Sequence, residues 1–295
     1  MKVIVTGSLG NISQPLTKEL VQKGHEVTVI SSKPEKKKDI EALGAAAAIG
    51  LMEDVDFLTT TFTGAEVVYC MTPPTLFTEP DRVAYYKKIG NNYAQAIQRA
   101  GIKRAIHLSS YGADLDKGTG LILGAHHGEV ILNELRETVV THIRPAYFYY
   151  NLFSFVDMIK GQGFIAANYG GEDKIVMVSP IDIAAVIAEE ITTPSIRNKV
   201  RYVASDELTG NEIAGILGAA IGKPDLKWMV ITDQQMQSGL EASGIPATLA
   251  ADFVEMFASL HSGALSKDYY LNKPAVMGKV KLTDFVKEFA GAFKQ

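Results

Sequence analysis

The stretch that decides the fold is Val3-Ile4-Val5-Thr6-Gly7-Ser8-Leu9-Gly10-Asn11-Ile12-Ser13. The apolar run Lys2–Thr6 reads as a strand. Two glycines follow it. Then Ile12, Leu16 and Leu20 recur at four-residue spacing, which predicts a helix over Asn11–Lys23 ended by Gly24. A strand, a glycine turn and a helix N-terminus in direct succession offer backbone N–H groups and a positive dipole end to a pyrophosphate. Gly7 permits the tight turn, and Gly10 lets the backbone approach the anion. Ser13 stands where a third glycine would allow close packing of helix on strand. Gly7, Ser8, Leu9, Gly10, Asn11 and Ile12 are therefore expected to line a dinucleotide.

Outward from this turn the chain keeps alternating. Strands are expected at Glu26–Ile30, Ala45–Ile49, Val67–Met71, Arg104–Ser109 and Val139–Arg144. Helices are expected at Lys33–Leu43, Glu79–Ala100 (on a stripe of Tyr86, Ile89, Tyr93 and Ile97) and Leu121–Arg136. Alternation of this kind predicts an α/β fold, a doubly wound parallel Rossmann sheet with helices on both faces. After Arg144 the rhythm changes to an aromatic run, Tyr147 to Phe155, and a glycine-punctuated stretch, Gly161–Gly171. A helix at Ile181–Ile191 and a strand at Lys199–Val203 return to the sheet. The remainder reads as mostly helical, with one strand near Lys227–Ile231. This divides the chain into a dinucleotide-binding domain, 1–151 and 178–206, and a smaller, mostly helical substrate domain, 152–177 and 207–295. The smaller one is expected over the carboxyl edge of the sheet, where ligands of such folds bind.

The end of the second strand sets the cofactor. An Asp or Glu there holds the ribose 2′-hydroxyl of NAD. Here the residues are Ser31-Ser32-Lys33, two hydroxyls and an ammonium, which suit a 2′-phosphate. NADP(H) is expected in preference to NAD(H). Lys36, Lys37 and Lys38 read as a solvated helix face.

Composition excludes other classes. The 295 residues carry 29 basic and 33 acidic side chains, a net charge of −4, with no basic stretch for nucleic acid. The single cysteine, Cys70, forms neither an internal disulfide nor a multi-cysteine metal site, and no metal is expected. No apolar run reaches the ~18 residues of a membrane span. A cytoplasmic protein acting on a small molecule is the expectation.

At this point the sequence resembles the NmrA-like group of atypical short-chain dehydrogenases/reductases over nearly its whole length. The glycine turn carries the resemblance, as do Gly64-Ala65-Glu66-Val67-Val68, Thr72-Pro73-Pro74, and Ala100-Gly101-Ile102-Lys103-Arg104 leading to Leu108-Ser109-Ser110. So do Thr141-His142-Ile143-Arg144-Pro145-Ala146 with Asn151, the stretch from Glu212 to Pro224, and Gly244-Ile245-Pro246. The resemblance implies cofactor contacts from Met71, Thr72 and Pro73 and from Ser109 beside the nicotinamide ribose. Three departures stand out. The helix after the fifth strand has no tyrosine for the Tyr-x-x-x-Lys pair of short-chain dehydrogenases, and the one match, Tyr269 to Lys273, lies far away in the chain. The lysine that the group often keeps on that helix aligns with His126. Leu51 stands where an Asp near the adenine is common.

His126 is therefore a candidate general acid or ribose ligand, with an uninvolved helix histidine as the alternative. Tyr111 is a candidate proton donor, or else an exposed loop tyrosine. Tyr147, Tyr149 and Tyr150 are candidates for flooring the pocket of a planar, aromatic substrate, with packing between domains as the alternative, favoured for Tyr149 and Tyr150. Three activities remain open: NADPH-dependent reduction of a small quinone or carbonyl by direct hydride transfer, a non-catalytic NADP(H) redox sensor with a protein partner, and epimerase-like chemistry.

Overall fold

The computed structural model describes residues 1–75, 77–79, 81–193 and 195–294. The chain divides into two compact units. The first holds Met1–Ala113, Gly124–Arg144 and Ile183–Arg201. The second holds Asp114–Leu123, Pro145–Asp182 and Tyr202–Gln295.

The strands of the first unit are β1 (Lys2–Val5), β2 (Glu26–Ser31), β3 (Ala46–Ile49), β4 (Val67–Cys70), β5 (Arg104–Leu108) and β6 (Val139–Pro145). Helices α1 (Ser13–Gln22), α2 (Lys37–Ala42), α3 (Val55–Phe62), α4 (Arg82–Ala100) and α5 (Leu123–Asn133) connect them. The sheet order is β6-β5-β4-β1-β2-β3, every neighbouring pair is parallel, and a further strand at Lys199–Val203 lies beside β6. Parallel strands joined by helices all end at one edge. The loops at Gly7, Ser31, Met71 and Ser109 therefore emerge together. β1, β4 and the middle of β5 are buried, the pattern of strands covered on both faces. Ile4, Val68, Ile89, Tyr93, Ile97 and Leu132 belong to one apolar cluster that joins strands to α4 and α5.

Several boundaries move from the sequence expectation for identifiable reasons. α1 starts at Ser13 rather than Asn11, and its helical bonding reaches back to Gly10 O, which accepts from Gln14 N–H. The expected helix Lys33–Leu43 opens as a 3-10 turn at Pro34–Lys36 before α2. α4 begins after Asp81, whose carboxylate accepts from Ala84 N–H, a side-chain cap that shortens the expected helix. Its buried tyrosine in the first turn is Tyr85, with Tyr86 only half-buried. α3, capped by Asp54, is an addition to the expected helices.

The second unit contains β7 (Tyr147–Phe148), α6 (Val156–Gln162), β8 (Ile165–Ala167) and β9 (Lys174–Val178). Helix α7 (Pro180–Thr192) and strand β10 (Lys199–Val203) each include a boundary between the residue ranges of the two units. β11 (Asp206–Thr209), α8 (Gly210–Ala220), β12 (Trp228–Val230), α9 (Asp233–Ala242), α10 (Ala247–His261), α11 (Lys267–Leu271) and α12 (Leu282–Lys294) complete it. β9 sits between antiparallel β11 and parallel β7, and β8 pairs with β12. The expected strand near Lys227 is β12. The short strands β8, β9 and β11 are additions to a region read as mostly helical. Tyr149, Phe155, Tyr169, Trp228, Phe285 and Phe289 form its aromatic core. Among the described residues no helix is long and apolar enough to cross a membrane.

Candidate functional site

The site begins at the glycine turn. Gly7 has φ +89°, and a Cβ there would lie 2.7 Å from Ser13 Oγ and 3.0 Å from Met71 Cγ, so only glycine fits. Ser13 does more than substitute for a glycine. Its buried hydroxyl donates to Thr6 O at 2.8 Å and ties the helix start to the end of β1. Thr6 Oγ1 in turn accepts from Met71 N–H at 2.9 Å, and Tyr93 OH donates to Met71 O at 2.8 Å. The loops after β1 and β4 are thereby fixed to each other. The N-terminus of α1 has no side-chain cap and Gly10 above it is exposed, while Gln14 N–H is taken by Gly10 O and Pro15 has no N–H. Leu9 is half-buried, Asn11 exposed and Ile12 buried. These features fit the pyrophosphate of a dinucleotide.

Ser8 is the one described non-glycine residue with positive φ, +55°. Its N–H donates to Ile30 O at 3.0 Å, and its hydroxyl donates to Ser31 Oγ at 2.9 Å. Ser31 Oγ also accepts from Lys33 N–H at 3.2 Å. The turn after β1 and the end of β2 thus meet through two hydroxyls. Ser32 and Lys33 stand exposed beside them, with no carboxylate from 31 to 33. Leu51, at the position of the absent Asp, is exposed. Thr72 and Pro73 are half-buried in the loop after β4.

At the end of β5, Ser109 Oγ donates to Glu129 Oε1 at 2.5 Å. Arg144 clamps the same carboxylate through Nε at 2.8 Å and Nη2 at 2.6 Å. All three residues are buried. One turn earlier on the same face of α5, His126 Nδ1 lies 2.9 Å from Ala113 O. A carbonyl only accepts, so Nδ1 carries the proton, and neutral His126 keeps a lone pair on Nε2. Tyr111 is buried within this loop, contrary to its reading as an exposed tyrosine.

A second polar cluster lies below, and the sequence reading did not find it. Buried His107 and His142 face each other across β5 and β6 with Nδ1 atoms 3.0 Å apart. Their tautomers follow from one backbone group. Val140 N–H donates to Asn198 Oδ1 (2.9 Å), which turns Asn198 Nδ2 toward Asn133 Oδ1 (3.3 Å). His142 Nε2 must then donate to that oxygen (3.1 Å), and His107 Nδ1 donates to His142 Nδ1. Burial holds both rings below the ordinary imidazole value of 6.5. The charge of a protonated His142 adds to this at His107, and at His142 Glu129 raises and Arg144 lowers the value. A depressed imidazole stabilises the folded chain fully above the unfolded value and loses that contribution as pH falls toward the folded value. Stability is expected to drop below about pH 6.5, by up to ~1.4 kcal/mol per pH unit for each ring. Urea unfolding across this range checks it, and an unchanged pH slope in His142→Gln contradicts it.

Tyr147, in the second unit, is half-buried, and its oxygen accepts from the fully buried Tyr169 hydroxyl at 3.2 Å. Burial pushes the Tyr147 phenol up to about 12, with the Tyr169 hydrogen bond opposing. Tyr149 OH donates to Asp206 Oδ2 at 2.6 Å, with Val280 O 3.2 Å away, and this anchors the side chain within the second unit. Cys70 is fully buried in β4, and burial pushes its thiol up. Among the described residues no group of His, Cys, Asp and Glu is arranged to hold a metal.

Comparison with known proteins places this geometry. NAD(P)H azoreductase of Xenophilus azovorans is 26% identical over 301 residues, which cover 99% of each chain. The structure of the Escherichia coli NADPH-dependent quinone oxidoreductase complexed with NADPH aligns with a TM-score of 0.83 at 21% identity, over 97% of this chain and 99% of that one. The Citrobacter sp. triphenylmethane reductase complexed with NADP(H) aligns with a TM-score of 0.78 at 19% identity, over 97% of this chain and 99% of that one. The model of the NmrA-like family matches residues 1–282. The chain belongs to the NmrA-like family.

Proposed function

We propose that the chain is an NADPH-dependent reductase of a small planar quinone or related carbonyl compound. The observation that carries the reading is the open glycine turn. It joins an uncapped helix N-terminus to the Ser8–Ser31 hydroxyl pair, with no carboxylate at the end of β2. Gly7 to Ile12 would hold the pyrophosphate. Ser8, Ser31, Ser32 and Lys33 would take the 2′-phosphate. Met71, Thr72 and Pro73 would flank the cofactor, and Ser109 and His126 would meet its nicotinamide ribose. The names of the azoreductase and quinone oxidoreductase relatives support the same reaction class.

The bound nicotinamide supplies the hydride. The chain's own contribution is orientation and exclusion of water, because a quinone accepts hydride without a Tyr-Lys pair. His126 offers Nε2 as an acceptor when neutral and as a donor when protonated. Tyr111 is the phenol of the first unit proposed to border the substrate.

Two experiments test this. Loss of reduced-nicotinamide absorbance is expected with NADPH and at least one member of a panel of quinones and azo dyes. No turnover across the panel contradicts the reaction. Ser31→Asp is expected to keep the bonds from Ser8 and Lys33 N–H while repelling a 2′-phosphate. The ratio of NADPH to NADH affinity should then fall by about tenfold or more. Fluorescence titration of both cofactors reads it, and an unchanged ratio places the 2′-phosphate elsewhere.

A further inference from the structure

We infer that Glu129 and Arg144 are positioning residues which make Ser109 a hydrogen-bond acceptor toward the nicotinamide-ribose half of NADPH; this role rests on the dinucleotide reading above. Arginine only donates, and a carboxylate only accepts. The two-point clamp from Arg144 Nε and Nη2 fixes the plane of Glu129, and the third bond to Glu129 comes from Ser109 Oγ. The single proton of Ser109 is thereby directed into the protein. Two lone pairs remain on Oγ, and donating its proton to a carboxylate makes them better acceptors.

Place and polarity then combine. Ser109 directly follows the last residue of β5, at the carboxyl edge of the parallel sheet. β5 lies two strands from β1, roughly 10 Å along that edge from the glycine turn. That offset suits the nicotinamide side of a dinucleotide whose pyrophosphate rests at Gly7–Gly10. Groups there able to donate to Ser109 are the ribose hydroxyls and the carboxamide NH2. The oxygen of a quinone is an acceptor, and Ser109 cannot donate to it without abandoning Glu129. Ser109 thus orients the cofactor and does not deliver a proton to substrate. An apolar pair of similar size would fill the space of Glu129 and Arg144 at little cost in stability. What the ion pair adds is a direction for the serine proton.

The test measures affinity for NADPH and for adenosine 2′,5′-bisphosphate, which lacks the nicotinamide half. The chains are the wild type, Ser109→Ala, the double variant Glu129→Leu/Arg144→Met, and the triple variant. Ser109→Ala is expected to weaken NADPH about three- to tenfold. In the double background the same change should cost at most about twofold, because the orientation is already lost. Binding of the bisphosphate should stay level throughout. An equal Ser109→Ala loss in both backgrounds overturns the positioning role. If the double variant fails to fold, steady-state kinetics of Ser109→Ala and Ser109→Thr decide. A raised KM for NADPH with kcat held, restored by Thr, supports the assignment. A lowered kcat with KM for NADPH unchanged makes Ser109 a donor to substrate and overturns it. A reduced cofactor with acetyl in place of carboxamide separates the two donors, since the Ser109→Ala loss persists with it only if the ribose is the partner. A wild-type chain that binds neither NADPH nor the bisphosphate overturns the dinucleotide reading, and this role with it.

Discussion

Gly10→Glu is expected to weaken NADPH binding by more than about a hundredfold while leaving the thermal unfolding of the free chain nearly unchanged. Gly10 is exposed, and a Cβ there would meet only Gly7 O, at 3.1 Å, so the turn accommodates a side chain with a small adjustment. Its carboxylate would then project over the N-terminus of α1, where the pyrophosphate is proposed to rest. Like charges about 4 Å apart near a protein surface repel by roughly 4 kcal/mol. Gly7 is the poorer probe. Its positive φ and the 2.7 Å approach of Ser13 Oγ make any substitution a folding defect as well. Calorimetric titration and a thermal melt on the same sample separate the two effects. Unchanged NADPH affinity in Gly10→Glu contradicts the placement of the pyrophosphate. A large fall in melting temperature makes Gly10 a structural residue.

The second large effect concerns stability. Glu129→Leu removes one partner of a buried pair and leaves the Arg144 guanidinium charged, enclosed and without its carboxylate. Such an orphaned charge costs about 3–5 kcal/mol. Denaturant unfolding should show a loss of that size, and addition of Arg144→Met should recover most of it. The recovery discriminates between causes. If the harm came from a cavity at position 129, the second substitution would deepen it. A double variant no more stable than Glu129→Leu alone contradicts the orphaned-charge account.

Much of the first unit was legible because local and global signals agree there. The glycine turn sits between an apolar run and a helical stripe, and each reading supports the next. The end of β2 was legible for the same reason: Ser31-Ser32-Lys33 lacks a carboxylate whatever the tertiary fold does. α3 was harder. Its sequence includes Thr59-Thr60-Thr61, β-branched residues that lower helix propensity. Its signals were the cap Asp54 and the four-residue spacing of buried Leu58 and Phe62.

The polar clusters were illegible for a different reason. Glu129 and Arg144 lie on a helix and a strand, and nothing in local pattern announces that they meet. His107 and His142 sit in apolar strands, where each reads as a single tolerated polar residue. Only the register that sets His107 opposite His142 makes them a pair. Ser109 was visible as a strand-end hydroxyl, but the direction of its proton is a property of the three-residue arrangement. In the second unit, β8 is three residues long between glycine-rich segments, too short for alternation to show.

The turn after β1 is proposed to bind NADP(H). The measurement that tests it most directly is calorimetric titration of the purified, cofactor-free chain with NADPH, with NADH as the control. Saturable one-to-one binding of NADPH and markedly weaker binding of NADH are expected. Binding of neither, or equal binding of both, contradicts it.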